Sequence, residues 1–314
     1  LIQFPDTKNT AQFFLAGLTL QNMTGTFSSG ISHLYNVFAH GEYRNRTRNK
    51  LWDMLLKGEL YFNGFNAGDY NATAYLSRSL KRKKGEVTLF FNNVSRTPSF
   101  IYDPRSSYSQ QQTPFGNKEN TTMLGFRTSN PFINLGVTNI LLLNYCYFKN
   151  YQESAQYDKP INILQLSASK KIKLSKKLSW YAEATVQQTD NSSPVRLPLL
   201  YTRNRIALEG IYFKNLNLST GVECRYFSPF KSYGYAPVTG QFVIQDTFTL
   251  NNRPDITAYV NFRIRSFTAY IRAENLNTMS FNGGFGFLNN NFAAPLYPTP
   301  GFIFRLGIRW WFVN

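Results

Sequence analysis

Histidine and cysteine are scarce in this chain, with two of each in 314 residues. His33 and His40 stand seven apart, so on one strand they point to opposite faces and cannot share a metal ion. Neither cysteine has a zinc-type partner, and Cys146 and Cys224 fall in expected strands with opposite facing, which argues against a disulfide. Gly283, Gly284 and Gly286 do not sit between a strand and a helix, so they read as loop residues and not as a phosphate cradle. A hydrolase on a barrel rim needs a nucleophile or paired carboxylates beside a histidine. The nearest approach is Glu42 close to His40. The expectation is a non-enzyme with no catalytic residue, no cofactor and no metal.

Long apolar runs are missing too. No stretch reaches about 18 apolar residues, and the mean hydropathy is -0.32, which excludes a helical membrane protein. It does not exclude a membrane β-barrel, whose strands are half polar. Acidic residues are outnumbered, 17 against 34 Lys and Arg, for a net charge of +17. In a nucleic-acid binder the basic residues gather on a recognition element. Here they collect at expected turns and on one face of expected strands, so the expected partners are outer-membrane lipid and lipopolysaccharide, with no nucleic acid.

Aromatic residues, by contrast, make up 17% of the chain, with 28 Phe and 20 Tyr, which suits the interfacial girdles of a barrel. The last stretch shows the pattern at its cleanest. Phe302, Phe304, Leu306, Ile308, Trp310 and Phe312 share one face of a strand, and Arg305, Gly307 and Arg309 the other. Turn signals and period-2 segments give about fourteen strands: 11–24, 31–46, 50–63, 67–82, 85–97, 121–129, 132–149, 160–173, 177–190, 199–213, 216–229, 255–265, 267–275 and 301–313. Connections alternate between short ones, at 47–49, 83–84, 130–131, 174–176, 214–215 and 265–266, and mostly long ones, at 98–120, 151–159, 191–198, 230–254 and 277–300. That asymmetry is the one expected of short periplasmic turns and long extracellular loops. Segment 241–249 alternates like a strand, but as a wall strand it would invert everything before it. It is expected inside the long external loop, the alternative being one more wall hairpin.

Sorting by parity separates an uncharged face, such as Trp52, Leu56, Leu60 and Phe62 or Ile256, Ala258, Val260, Phe262 and Ile264, from a charged one. Arg or Lys facing lipid near the midplane costs about 2–4 kcal/mol, so the uncharged face is the lipid face. The opposite face is expected to line the lumen with Arg203, Arg205, Glu209, Glu223, Arg225, Arg263, Arg272, Glu274, Arg305 and Arg309. Two readings of this set stay open: a water-filled, anion-favouring wall, or a plugged barrel in which Arg and Glu neutralise one another, as Arg272 and Glu274 would with Arg305. A basic periplasmic rim is expected from Arg46, Arg48, Lys81, Arg82, Lys83, Lys84, Lys173, Lys176 and Lys177. It serves as a solvated edge or as a docking surface for phosphate headgroups or an acidic protein.

The C-terminal stretches YAPVTGQFVIQ (235–245), RPDITAYVNFRIR (253–265), FTAYIRAENLN (267–277) and YPTPGFIFRLGIRWWF (297–312) resemble the β-barrel porins of Bacteroidota. The last is also similar to the terminal strand of TonB-dependent transporters of that phylum. The resemblance implies a Gram-negative outer-membrane barrel and passive diffusion, and it transfers no catalytic or ligand residue. Members of that family are longer than this chain, so an N-terminal portion is expected to be missing or reduced. The start at Leu1, without an initiator Met or a basic-then-apolar leader, fits a removed signal peptide or numbering that begins inside a longer protein. Taken together, residues 1–314 are expected to form a single all-β domain, a transmembrane antiparallel up-and-down β-barrel of about 14 strands. Its expected function is a porin-like channel for small hydrophilic, preferably anionic solutes. The alternative is a non-conducting accessory subunit of an outer-membrane assembly, secretion or uptake complex, bound to other outer-membrane or periplasmic proteins.

Overall fold

The computed structural model describes residues 2–3, 12–27, 30–47, 49–80, 85–106, 115–279 and 290–312. Fourteen long strands, each antiparallel to the next, dominate it: β1 (Gln12–Phe27), β2 (Gly30–Arg46), β3 (Trp52–Gly64), β4 (Tyr70–Leu80), β5 (Gly85–Arg96), β6 (Glu119–Ser129), β7 (Asn134–Leu143), β8 (Ile161–Lys173), β9 (Leu178–Gln188), β10 (Leu200–Tyr212), β11 (Leu216–Phe227), β12 (Asp255–Ile264), β13 (Phe267–Glu274) and β14 (Ile303–Trp310). All fourteen expected strands are present, and no helix of the described residues is long and apolar enough to cross a membrane. Two compact units divide the chain, residues 1–166, 188–195 and 236–244 in the first and 167–187, 196–235 and 245–314 in the second.

In the first unit the sheet runs in sequence order from β1 to β7 and the start of β8. Register places Phe14, Tyr43, Leu56, Ala74, Phe91 and Leu124 side by side across six strands. The neighbouring row of opposite parity is Leu15, Glu42, Lys57, Thr73, Asn92 and Met123. The apolar parity is the solvent-accessible one, with Leu18 76% exposed. A soluble protein would bury such a band; here it is the lipid surface.

Above β7 the expected strand 132–149 is broken. Asn144 takes a left-handed conformation (φ 54°) and donates to the Lys118 carbonyl at 3.0 Å, which ends the wall strand at Leu143. Cys146 therefore belongs to neither wall face. It lies in a small sheet made by Cys146–Phe148, Ser154–Gln156 and Gln241–Val243, with Val243 parallel to Phe148. Period-2 patterning continued across the break because the small sheet alternates as well. The segment beginning at Gln241 is thus a short loop strand and not a wall strand. Its Val243 packs with Phe148 and Ala236 in a buried cluster that Ile101 and Tyr102 cover. Burial, reinforced by the nearby Glu119 carboxylate, pushes the Cys146 thiol from its usual value near 9 up to about 12.

Two buried carboxylates tie the connection after β5 to the wall. Asp69 accepts from the Thr97 backbone at 2.8 Å, from Asn66 at 2.9 Å and from the Lys118 ammonium. Glu119 accepts from Arg96 and from the Cys146 backbone, at 3.0 and 2.9 Å. Farther along, Arg105 chelates Asp103 through two 2.8 Å bonds, holding that carboxyl below its usual range, and lies over the rings of Phe65 and Phe100.

The second unit holds the end of β8 and β9 to β14, again in sequence order. One outer row is Trp180, Ile206, Val222, Ala258, Ala273 and Phe304, and the next is Leu178, Leu208, Thr220, Val260, Ile271 and Leu306. The single hydroxyl in the pair of rows is satisfied internally, since Thr220 donates to the Tyr259 carbonyl at 2.9 Å. That removes the cost of an unpaired polar group facing hydrocarbon. Short turns close the hairpins through non-glycine residues with positive φ, at Phe213, Lys214 and Arg265. Beside the short turns of this unit cations lie on aromatic rings, Lys177 over Tyr212 and Arg309 over Trp311, at 3.8 and 3.9 Å from the ring centres; in the first unit Arg78 lies over Trp52 at 4.9 Å.

A recurring device on the polar face is a ring laid across a glycine of the next strand. His40 is paired with Gly17, Phe90 with Gly125 and Tyr270 with Gly307. In each pair a Cβ on the glycine would overlap the ring. Glycine lets the ring lie flat against the wall.

Candidate functional site

The polar parity of β10 to β14 builds the site. Its rows, read across the strands, are Arg203 with Arg225; Arg205 with Glu223; Tyr259 with Arg272 and Arg305; and Asn261 with Tyr270 and Gly307. Side chains of these rows border an open concavity of about 560 Å³ lined mainly by polar groups. Seven of the ten residues expected to line a lumen meet there: Arg203, Arg205, Glu223, Arg225, Arg272, Glu274 and Arg305.

Two carboxylates organise four of the five guanidinium groups. Glu223, itself buried, accepts from Arg203 Nη2 and Arg225 Nε, each at 2.7 Å. Glu274 accepts from Arg305 Nε at 3.0 Å and stands 3.4 Å from Arg272 Nε. Arg205 lies on the Tyr181 ring, 4.1 Å from its centre, instead of on a carboxylate. The neutralising arrangement expected of Arg272, Glu274 and Arg305 is therefore present, yet it is incomplete. Five positive charges face two negative ones, an excess of three, which falls to two if Glu183, 3.9 Å from Arg203, is included.

The other three expected residues share the parity but sit nearer the short turns. Arg263 donates to the Arg265 carbonyl at 3.1 Å, and Arg309 stacks on Trp311. Glu209 accepts from Lys171 at 3.2 Å and from the Tyr181 hydroxyl at 2.5 Å. Tyr259, Asn261 and Tyr270 line the concavity and were missed by a search for charge; their parity with Arg263 and Arg272 was the available signal. In the first unit the polar face pairs its charges more evenly, Glu42 with Lys57 at 3.0 Å and Arg44 with Asp53 at 2.8 Å. His40 is 3.5 Å from Thr19, and its neighbour Glu42 is engaged by Lys57, so the two form no acid–base pair. Of the basic rim, Lys173, Lys176 and Lys177 are exposed at the turn before β9, and Arg46 lies 4.0 Å from Asp53. Arg48, Lys81, Arg82, Lys83 and Lys84 lie outside the described residues.

Residues 6–314 match the family described as "Putative porin". The chain belongs to this porin family. Solved structures show the same fold at low identity. The ferric enterobactin receptor PfeA of Pseudomonas aeruginosa, in complex with BCV-L6, has a TM-score of 0.62 at 14% identity, covering 95% of this chain and 51% of the receptor. The FrpB iron transporter of Neisseria meningitidis gives 0.59 at 10%, covering 95% and 52%. The siderophore receptor PirA of Pseudomonas aeruginosa gives 0.59 at 12%, covering 86% and 49%. The porin chain thus spans about half the length of these proteins. No curated protein matches it. Family, fold and the exposed apolar wall make it an outer-membrane β-barrel protein.

Proposed function

We propose that this porin is a channel for passive diffusion of small hydrophilic anions, its water path bordered by the polar face of the strands. The observation that supports it best is the uncompensated cation excess around Glu223 and Glu274. Fixed positive charge beside a narrow water path raises local anion concentration and repels cations. Reversal potentials of the purified, heat-modifiable protein in a planar bilayer under a KCl gradient test the reading. Stable open steps with chloride preferred over potassium are expected; cation preference would sink it.

A second reading, a non-conducting subunit of a larger outer-membrane machine, draws on the exposed lysines at the turn before β9 as a docking edge for an acidic partner. Gentle extraction followed by native mass measurement separates the two, since a subunit brings stoichiometric companions with it.

A further inference from the structure

We infer that the concavity on β10 to β14 is a discrete binding site for a tetrahedral oxyanion, phosphate or the phosphate end of a small ester, and not merely a region of positive potential. This rests on the channel reading above and names its substrate class.

Three features carry it. First, Tyr259 is only 9% exposed and lines the concavity, yet its buried Oη has no hydrogen-bond partner. Buried hydroxyls are almost always paired, and an unpaired one lowers stability, so a donor left open at the wall of a polar recess calls for an acceptor. Second, Arg272 stands directly opposite Tyr259 in the register, and its buried Nε also lacks a hydrogen bond, because Glu274 at 3.4 Å is not aligned to accept one. Arg205 adds a guanidinium that lies on the Tyr181 ring. Third, Arg203, Arg225 and Arg305 line the same concavity, so further guanidinium groups surround the open donors.

The chemistry selects the ligand. A hydroxyl and planar guanidinium forks on neighbouring strands present donors from several directions. An anion whose oxygens project tetrahedrally meets them at once, whereas chloride is a single spherical acceptor. Glu223 and Glu274 hold four of the guanidinium groups in place, so the site is organised before the anion arrives.

Calorimetric titration of detergent-solubilised protein with inorganic phosphate in 0.1 M KCl tests this without requiring conduction. Saturable one-site binding is expected over the chloride background. Tyr259→Phe keeps the ring and every charge, and it should weaken phosphate roughly tenfold or more, the worth of a hydrogen bond to a charged group. Arg272→Lys keeps the charge but loses the fork, and should weaken it as well. Phosphate binding unchanged in Tyr259→Phe, or no saturable binding in the native protein, overturns the site. A silent protein that binds phosphate saturably refutes the channel and leaves the site standing. An anion-selective channel without saturable phosphate binding does the reverse.

Discussion

Replacing Arg272 and Arg305 together by Gln removes two of the five positive charges around the concavity and strips Glu274 of both its partners. A unit charge roughly 8 Å from a passing ion in a water-like dielectric is worth about 0.5 kcal/mol. It acts with opposite sign on anion and cation, so each lost charge moves the permeability ratio by about 1 kcal/mol, and the pair by about 2. At 0.1 M salt the Debye length is about 10 Å, which leaves a little under half of this, about 1 kcal/mol, or a fivefold drop in anion preference. The assay is the reversal potential of the double variant in a planar bilayer under a KCl gradient. Stability should fall modestly, because the arginines are partly exposed but Glu274 is mostly buried and loses its partners; heat-modifiable migration on gels checks that the variant is folded. A ratio equal to that of the native protein, or a rise in anion preference, would refute the reasoning. Raising the salt to 1 M, where the Debye length is about 3 Å, should largely erase the difference.

Further expectations concern the wall and the loops. Gly307→Val should force the Tyr270 ring off the wall and into the concavity, lowering single-channel conductance, with Gly307→Ala intermediate; equal conductance in all three would show that the ring does not border the path. In a Cys224→Ser background, maleimide labelling of folded protein should stay slow at pH 8 to 10, because Cys146 ionises only near about 12. The raised value also fixes a sign: the thiol's contribution to stability is complete below about pH 9 and is lost as pH rises toward about 12, so Cys146→Ser should lessen the alkaline fall in melting temperature. Asp69→Asn leaves the half-buried Lys118 ammonium without its carboxylate, a local loss of about 2–3 kcal/mol after allowing for exposure of the lysine. Limited proteolysis should then cut between Arg96 and Lys118 faster than in the native protein, and an unchanged cutting rate would show that the ion pair is no latch.

Strand number and facing were legible because the wall strands keep one side uncharged through their middle, with exceptions such as Arg78 and Lys170 only near the short turns. The lipid rule that forbids Arg at positions such as Ile206, Val222 or Phe304 writes itself directly into period 2. Register was not legible, and the site depends on it. Parity puts Arg272, Glu274 and Arg305 on one face, but only the pairing of β13 with β14 sets Arg305 opposite Arg272 and within reach of Glu274. Tyr259 escaped because a search for charge passes over a residue whose importance lies in a hydroxyl without a partner. Asn144 escaped for a different reason. A single residue with positive φ interrupts a strand without disturbing the alternation on either side, so the sequence reads straight through into the small sheet that holds Cys146.

The cations stacked on Trp52, Tyr212 and Trp311 bear on how the protein meets bilayers of different thickness. An aromatic ring seeks the headgroup level and a cation seeks water and phosphate, so each pair has a preferred depth from which displacement in either direction is unfavourable. All three stand beside short turns, where backbone and side chain have little room to adjust. Each such turn is therefore the datum from which the height of its own hairpin is measured. In a thicker or thinner membrane the mismatch falls on the other end of those strands, so in the first unit lipid composition would be felt where β5 passes into its long connection beside Asp69 and Glu119.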